Sequence, residues 1–221
     1  MTTRALIIGA SGGIGAALAA ALAARGAEVT GLSRRSDGLD VTDPASVDRV
    51  LGALDGPFDL IFVASGILAP EGQAPEKSLD AIDAAAMAQT LAVNAIGPAL
   101  ILRHAPRLLP RAGRSVVAVL TARVGSIGDN RMGGWYSYRA SKAAANQIVH
   151  GAAIEIGRRR KEAVVVALHP GTVATPFTAD YSGHSKVSPD ESARNLLSVI
   201  DGLTPAQSGG FFDWAGQEVP W

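Results

Sequence analysis

A doubly wound α/β fold is what the sequence predicts, and three observations carry the prediction. Strand-like and helix-like runs alternate along the whole chain. Several strand-like runs, such as AVVVAL, are apolar throughout, which is typical of a parallel sheet covered by helices on both faces. The length of 221 residues suits one domain, so we expect residues 1–221 to form a single domain.

The predicted elements follow one another in a regular order. Apolar runs predict strands at RALIIG, AEVTGLS, FDLIFVAS, RSVVAVLT, AVVVALHP and GGFFDW. Helical composition and spacing predict helices at GIGAALAAALAARG, PASVDRVLGAL, AIDAAAMAQTLAVNAIGPALILRHAPRLL, YRASKAAANQIVHGAAIEIGRRR and PDESARNLLSVIDGL. Only RRSD separates AEVTGLS from a further strand-like run, GLDV. Because this is too short for a crossover, we expect the helix between the second and third strands to be absent or reduced.

The overall composition excludes several classes of protein. Hydrophobic residues make up 48% of the chain and charged residues 18%, which is typical of a globular protein. The 20 basic residues equal the 20 acidic ones, so no net charge favours nucleic acid or an anionic membrane. Cysteine is absent and the four histidines are scattered, which argues against a metal site. We therefore expect no nucleic acid, membrane or metal as a partner.

The N-terminal segment MTTRALIIGASGGIG leads directly into the first predicted strand. It lacks the charged, apolar and small-residue regions of a signal peptide in their required order. No stretch of about 20 uninterrupted apolar residues follows in the chain. A cytoplasmic location is the resulting expectation.

The first strand ends in GASGGIG, Gly9 to Gly15, and a helix begins at once. Glycines permit a tight turn and close approach of the backbone to a pyrophosphate, which the helix N-terminus then attracts. The position of this turn between a strand and a helix is what a Rossmann-type dinucleotide site requires. The alternative is a purely structural turn.

The second strand ends in Ser33, Arg34 and Arg35. Enzymes that use NAD usually have an acidic residue at this strand end, where it accepts a hydrogen bond from the ribose. Two guanidinium groups, which pair well with phosphate, stand here instead. The sequence therefore predicts NADP (NADPH) rather than NAD, with a solvated basic turn as the alternative.

Tyr138 and Lys142 are four residues apart in WYSYRASKAAAN, so on a helix they share one face. A lysine ammonium near a phenol favours the phenolate and lowers the phenol pKa from about 10. Such a tyrosine can give a proton to a carbonyl oxygen while hydride arrives from a nicotinamide. An ordinary contact on a helix surface is the alternative.

These segments together resemble the short-chain dehydrogenase/reductase family over essentially the whole chain. The matching pieces are GASGGIG, Asp40-Val41 in GLDVTD, VASG, Asn94 in LAVNAIGP, the Tyr138 to Lys142 motif and PGTVAT. Within the family, VGSIGDNRMGGWYSYRASKAA and SGGFFDWAGQEVPW are similar to the C-factor-like branch of small reductases.

The resemblance implies a role for each matching position, from the pyrophosphate side of the cofactor to its nicotinamide end. The implied cofactor residues are Gly9, Ser11, Gly13, Ile14, Gly15, Ser33, Arg34, Arg35, Asp40, Val41, Ala64, Ser65, Gly66, Tyr138, Lys142, Pro170, Gly171, Val173 and Thr175. Ala64-Ser65-Gly66 stands where the family more often has Asn-Ala-Gly. Asn94 would support a water-linked proton path to Lys142, and its alternative is a helix asparagine with a local hydrogen bond.

The family also uses a serine at the end of the strand before the tyrosine, where it donates to the substrate carbonyl. Its usual place is three residues before a loop glycine and thirteen before the tyrosine. Counted from Gly125, this position is Ala122, which has no hydroxyl. Thr121 would replace it only if the strand end turns, because adjacent strand residues face opposite sides. Ser126 would replace it only if its loop folds inward.

The segment PFTADYSGHSKVS stands where the family covers its substrate, with Phe177 and Tyr181 as its aromatic residues. Its brevity predicts an open site. The Ala-rich faces 84–92 and 143–153 would permit the family's packing of long helices, so we expect a homodimer or homotetramer.

The sequence thus predicts an NADP-dependent oxidoreductase acting on a carbonyl or alcohol through Tyr138, Lys142 and Asn94, with Thr121 as a substitute donor. The alternative is a dinucleotide-binding sensor or signalling protein of the C-factor type with little turnover. Ala122 favours this alternative.

Overall fold

One six-stranded parallel sheet forms the centre of the computed structural model, which describes residues 2–179 and 185–221. The strands are β1 (Arg4–Ile8), β2 (Glu28–Leu32), β3 (Leu60–Val63), β4 (Ser115–Leu120), β5 (Ala163–His169) and β6 (Phe211–Asp213). Their order is β2-β1-β3-β4-β5-β6, so the chain reverses direction across the sheet between β1 and β3. Ligands bind at such a switch point in open α/β sheets. The doubly wound fold predicted from the sequence is confirmed.

Seven helices connect the strands in the described part of the chain. They are α1 (Gly13–Ala24), α2 (Arg34–Asp37), α3 (Pro44–Gly52), α4 (Ala84–Leu91), α5 (Gly97–Leu108), α6 (Tyr136–Arg159) and α7 (Pro189–Gly202). Apolar residues of α1 and α7 pack on one face of the sheet. Those of α3, α5 and α6 pack on the other. The sheet is therefore buried on both faces, as its uniformly apolar strands predict.

Strand alternation decides which core layer each side chain joins. In β4, Val117 and Val119 lie in the layer under α6, together with Val149. Val116 and Ala118 lie in the layer under α1 and α7. This register determines where the residues that follow β4 are directed.

The predicted strand GLDV is wrong, although the reduced helix before it is confirmed. The four-residue α2 ends at Gly38, whose φ is 64°. The Asp40 carboxylate then accepts from both the backbone N–H and the hydroxyl of Thr42, at 2.9 and 2.7 Å. Because the Asp40 N–H donates to Ser46 Oγ, the segment makes side-chain hydrogen bonds instead of joining the sheet.

The long central helix begins at Ala84, later than the sequence pattern predicts, because Asp83 caps its N-terminus. A π-helical segment, Ala92–Ile96, joins α4 to α5 and contains Asn94. By length and composition alone, Ala84–Leu108 could cross a membrane, a test that core helices of α/β domains also pass. Its inner side chains, such as Ile101 and Leu108, pack in the core.

Helix α6 begins two residues before its predicted start, at Tyr136. The three residues before it, Gly133, Gly134 and Trp135, all have left-handed backbone conformations, with φ of 64°, 65° and 52°. A left-handed tryptophan is uncommon and requires support from its surroundings. This turn sets the direction in which α6 and Tyr138 enter the fold.

Candidate active and cofactor site

A cleft of about 950 Å³ opens at the carboxyl ends of β1, β3, β4 and β5. Many of the residues expected from the sequence line it. These are Ser11, Gly13, Ile14, Gly15, Ala64, Ser65, Gly66, Thr121, Tyr138, Lys142, Pro170, Gly171, Val173 and Thr175. The structure therefore brings the proposed catalytic pair and most of the proposed cofactor residues together.

The glycine turn is closed by backbone contacts that leave no room for side chains. A Cβ on Gly15 would lie 2.2 Å from the Gly9 carbonyl oxygen, and one on Gly9 would lie 2.9 Å from the Ser65 backbone N. Gly9 also has a φ of 87°. The N-terminus of α1 has no side-chain cap and no acidic residue in its first turn. Its N–H groups fit a pyrophosphate, which a helix N-terminus binds readily.

The end of β2 lies outside the cleft lining. Ser33 is buried and caps α2 by accepting from the Ser36 N–H at 3.2 Å, whereas Arg34 and Arg35 are exposed. The Asp37 carboxylate accepts from the Ser33 N–H at 2.7 Å. The sequence analysis missed this acidic group because it follows the strand by several residues. The structure thus places both arginines and a carboxylate at the proposed ribose end.

Asp40 and Val41 also lie outside the cleft lining. The hydroxyl and N–H of Thr42 lower the pKa of Asp40, and the charge of Arg34 adds to this effect. Val41 packs against the start of α5, where a Cβ on Gly97 would lie 2.9 Å from Val41 Cγ2. The expected adenine border is therefore a closed turn against α5.

The segment after β3 converges with Asn94 and Lys142. A Cβ on Gly66 would lie 3.2 Å from Asn94 Oδ1 and 3.3 Å from Lys142 Nζ. The Ser65 hydroxyl is buried and has no hydrogen-bond partner among the described residues. Ser65 also lines the cleft.

Asn94 connects the loop after β3 to α6. Its Oδ1 accepts from the Ile67 N–H at 2.8 Å, and its Nδ2 donates to the Ile67 carbonyl at 2.8 Å and to Ser141 Oγ at 3.0 Å. These partners lie far away in the sequence, so the alternative of a local helix hydrogen bond is wrong. The buried Asn94 holds Gly66 against α6.

Tyr138 and Lys142 share one face of α6, and both are buried in the cleft wall. Lys142 Nζ lies 5.8 Å from the Tyr138 ring centroid and donates to the Leu120 carbonyl at 3.0 Å. Burial lowers the pKa of Lys142 to about 8. The Tyr138 ring packs 5.8 Å from Phe177 and 6.2 Å from Trp135, measured between centroids.

Ala122, two residues after β4, has an extended backbone, at φ −156° and ψ 147°, and lines the cleft. The family spacing counted from Tyr138 falls on Gly125 (138 − 13 = 125), three residues later than the spacing counted from the glycine. Gly125 lies in a 3₁₀ turn and a Cβ there would lie 2.8 Å from Lys142 Cβ, so a side chain does not fit. The structure therefore favours Ala122 as the serine position.

Thr121 and Ser126 differ as substitute donors. Thr121 follows the register of Val117 and Val119, which directs it toward the layer under α6. Thr121 lines the cleft, and its hydroxyl is buried and has no hydrogen-bond partner among the described residues. Ser126 is buried outside the cleft lining, where its Oγ accepts from the Asp129 N–H at 3.0 Å. Ser126 would reach the site only if its loop folded inward, and this turn instead holds it outside the cleft lining.

The loop after β5 closes the opposite side of the cleft. A Cβ on Gly171, whose φ is 77°, would lie 3.1 Å from the Trp214 ring, and one on Gly13 would lie 2.7 Å from Thr175 Cγ2. The loop therefore packs directly on the glycine turn. Burial lowers the pKa of His169 to about 4, so this side chain is neutral at pH 7. Tyr181 and His184 lie outside the described residues.

Two further residues of the site were missed by the sequence analysis. Glu76 is buried, and its carboxylate accepts from the N–H and hydroxyl of Ser137, next to Tyr138. Lys77 lines the cleft. Both come from an irregular loop that carries no motif, and the contact joins residues 61 positions apart in sequence. No local pattern could have predicted it.

Comparison with known proteins matches residues 3–186 to the short chain dehydrogenase family. The chain is 39% identical over 170 residues to C-signal of Myxococcus xanthus, covering 75% of this chain and 94% of that protein. It is 34% identical over 188 residues to 1-hydroxy-2-glutathionyl-2-methyl-3-butene dehydrogenase of Rhodococcus sp. (strain AD45), covering 83% of this chain and 79% of that protein.

A solved carbonyl reductase from Pseudomonas aeruginosa PAO1, in complex with NADP, has a TM-score of 0.80 and 28% identity, with both chains covered completely. The chain belongs to the short chain dehydrogenase family of oxidoreductases.

Proposed function

We propose that this protein is an NADP-dependent oxidoreductase that reduces a small carbonyl compound or oxidises the matching alcohol. The observation that carries the proposal is the Tyr138 and Lys142 pair, buried in the same cleft that the glycine turn enters. The NADP complex of the similar carbonyl reductase supports the cofactor. The Rhodococcus relative, a dehydrogenase by name, supports the reaction class.

In the reducing direction, Tyr138 gives its phenolic proton to the carbonyl oxygen as the C=O π bond breaks. A nicotinamide bound in the cleft would supply the hydride that forms the new C–H bond. Lys142 contributes positive charge beside the phenol and would hold the ribose of the cofactor. Asn94 joins the loop at Ile67 to Ser141 of α6, and in this way would support a proton path to Lys142.

Thr121 is the proposed hydroxyl donor to the substrate carbonyl. Thr121 lines the cleft directly after β4, and its buried hydroxyl has no partner among the described residues. A buried hydroxyl without a partner is unfavourable, and a substrate oxygen would satisfy it. In this role Thr121 replaces the hydroxyl that is absent at Ala122.

The preference for NADP rests on Arg34 and Arg35, which are exposed at the end of β2 and free to pair with a 2′-phosphate. Asp37 stands nearby but accepts from the Ser33 N–H. We expect the arginines to outweigh this one carboxylate.

The test is NADPH consumption against aldehydes, ketones and quinones in the parent and in Tyr138→Phe. Turnover that is lost in Tyr138→Phe, with NADPH binding retained, is the expected result. Equal turnover in both proteins would contradict the role of Tyr138.

A binding or signalling function is the second candidate, favoured by Ala122 and by the similarity to C-signal. If this is the function, the parent should bind NADPH tightly without turnover, and turnover should appear only in Ala122→Ser. Turnover in the parent that Ala122→Ser does not increase would argue against it.

A homodimer or homotetramer formed through α4, α5 and α6 is part of the proposal. Ile96, in the π-helical segment between α4 and α5, and Ile154 of α6 are each 52% exposed. Light scattering at several concentrations measures the solution mass, and a monomer at all of them would contradict this assembly.

A further inference from the structure

The described residues that line the cleft carry positive charge and no carboxylate. Its cationic side chains are Lys77, Arg123, Arg139 and Lys142. Arg123 pairs with Asp129, and both Arg139 and Lys142 donate to backbone carbonyls. Lys77 has no hydrogen bond or ion pair with any residue that the structure describes. Among the described cationic residues of the cleft lining, it is therefore the one that is free to bind a ligand.

Lys77 is held at the cleft mouth by the residue before it. The Glu76 carbonyl accepts from the Trp135 N–H at 2.5 Å, and the Glu76 carboxylate accepts from the Ser137 N–H at 3.2 Å. A Cβ on Gly134 would lie 4.0 Å from Lys77 Cα. The Lys77 backbone is thus fixed beside the turn that precedes Tyr138, although its side chain is exposed.

Apolar side chains also line the described part of the cleft. Met132 is 89% exposed and Phe177 is 37% exposed, and both line the cleft together with Trp135. Phe177 and Trp135 flank the Tyr138 ring. A ligand bound at Tyr138 would therefore contact apolar side chains, with Lys77 as the ammonium group that has no partner among the described residues.

We propose that the substrate is a carbonyl compound with an apolar body and a carboxylate, and that Lys77 binds this carboxylate at the cleft mouth. The inference rests on the proposed function and adds the substrate class. Lys77 acts as a specificity residue: it attracts and orients the anionic end, while the reacting carbonyl lies at Tyr138.

The test compares 4-carboxybenzaldehyde with its uncharged methyl ester as substrates. We expect the parent to prefer the acid in kcat/KM, and Lys77→Gln to reduce this preference about three- to tenfold, as removal of a partly exposed charge pair does. The preference should also fall with added salt in the parent, because salt screens exposed charges. Lys161→Gln is the matched control, since it removes the same charge from an exposed turn before β5.

A binding measurement separates this inference from the proposed function. Tyr138→Phe loaded with NADP⁺ is titrated with each compound by calorimetry, with and without Lys77→Gln. Stronger binding of the acid that depends on Lys77 supports the inference even if no protein turns over. An acid-to-ester ratio that Lys77→Gln leaves unchanged overturns it. Weaker NADPH binding in Lys77→Gln with an unchanged ratio also overturns it, because Lys77 would then serve the cofactor.

Discussion

Thr121 and Ala122 show how a shift of one residue can move a hydroxyl from one face of a sheet to the other. The backbone is extended at Ala122, and both residues line the cleft. The register of β4 directs Thr121 toward the layer of α6, where Lys142 donates to the carbonyl of Leu120. Thr121 therefore lines the same cleft as Tyr138 and Lys142.

Replacement of Thr121 by valine tests this placement. Loss of one preorganised donor lowers turnover about 10²- to 10³-fold. Stability should change little, because the hydroxyl has no partner among the described residues and valine keeps its shape. Steady-state kinetics measures the turnover, and urea unfolding measures the stability. Ser126→Ala is the control and should retain turnover, and parent-like turnover in Thr121→Val would exclude Thr121 as the donor.

The buried Lys142 side chain should make the stability of the fold depend on pH. Burial lowers its pKa in the folded state to about 8, below the unfolded value of 10.5. Between these values the unfolded state binds more protons, so stability of the apoprotein rises as pH increases from about 8 to 10.5. Below pH 8 the full penalty for burying the ammonium is present, on the order of 3 kcal/mol.

Lys142→Met removes this penalty along with the charge. We expect the variant to be more stable than the parent at pH 7, with a difference that shrinks toward pH 10, and to lose turnover. Urea unfolding of both apoproteins at pH 7, 8, 9 and 10 measures the difference. A difference that is constant across this range would show that Lys142 does not carry the pH dependence.

At the scale of elements, α6 depends on a cap from another part of the chain. Trp135 provides no side-chain cap, and Glu76 supplies the acceptor for the Ser137 N–H. A carboxylate at a helix N-terminus also interacts favourably with the helix dipole. The turn that begins the catalytic helix is thus held by the loop after β3.

Glu76→Ala should destabilise the fold by about 1–3 kcal/mol, because it leaves a buried N–H without a partner. It should also lower kcat, since Ser137 precedes Tyr138. Glu76→Gln keeps an acceptor, so its stability and its kcat should both fall less than those of Glu76→Ala. Urea unfolding and kinetics check the order of the three proteins, and an unchanged unfolding midpoint in Glu76→Ala would contradict the capping role.

The start of α2 makes a prediction about the cofactor. The double variant Arg34→Ala and Arg35→Ala should weaken NADPH binding about tenfold or more, as loss of a charge-assisted hydrogen bond does, and leave NADH binding unchanged. Arg158→Ala with Arg159→Ala, at the exposed end of α6, is the matched control. Calorimetric titration with both cofactors measures the effect. Parallel losses for NADPH and NADH would contradict a contact with the 2′-phosphate.

For the whole molecule, the fold could be predicted because its strands and most of its helices carry local patterns. The prediction of a strand at GLDV was wrong because the side chains of Asp40 and Ser46 accept the hydrogen bonds that the backbone would make in a strand. The glycine turn and the Tyr138 to Lys142 spacing were visible in the sequence for the same local reason.

The remaining parts of the site depend on contacts between distant segments. Asn94 reaches Ser141 across 47 positions, and Glu76 reaches Ser137 across 61. Such contacts follow from the packing of the whole fold rather than from any spacing in the sequence. The donor hydroxyl could be predicted only in part. The sequence shows that Ala122 has no hydroxyl, but only the folded structure shows that Thr121 lines the cleft and Ser126 does not.

Whether this protein reduces a carbonyl with NADPH through Tyr138 is measured most directly by deuterium transfer. NADPH labelled at the nicotinamide C4 is mixed with an aldehyde, and mass spectrometry detects deuterium on the former carbonyl carbon. We expect deuterated alcohol from the parent and almost none from Tyr138→Phe, with similar NADPH affinity in both. Tight NADPH binding without deuterium transfer in the parent, or equal transfer in Tyr138→Phe, would contradict it.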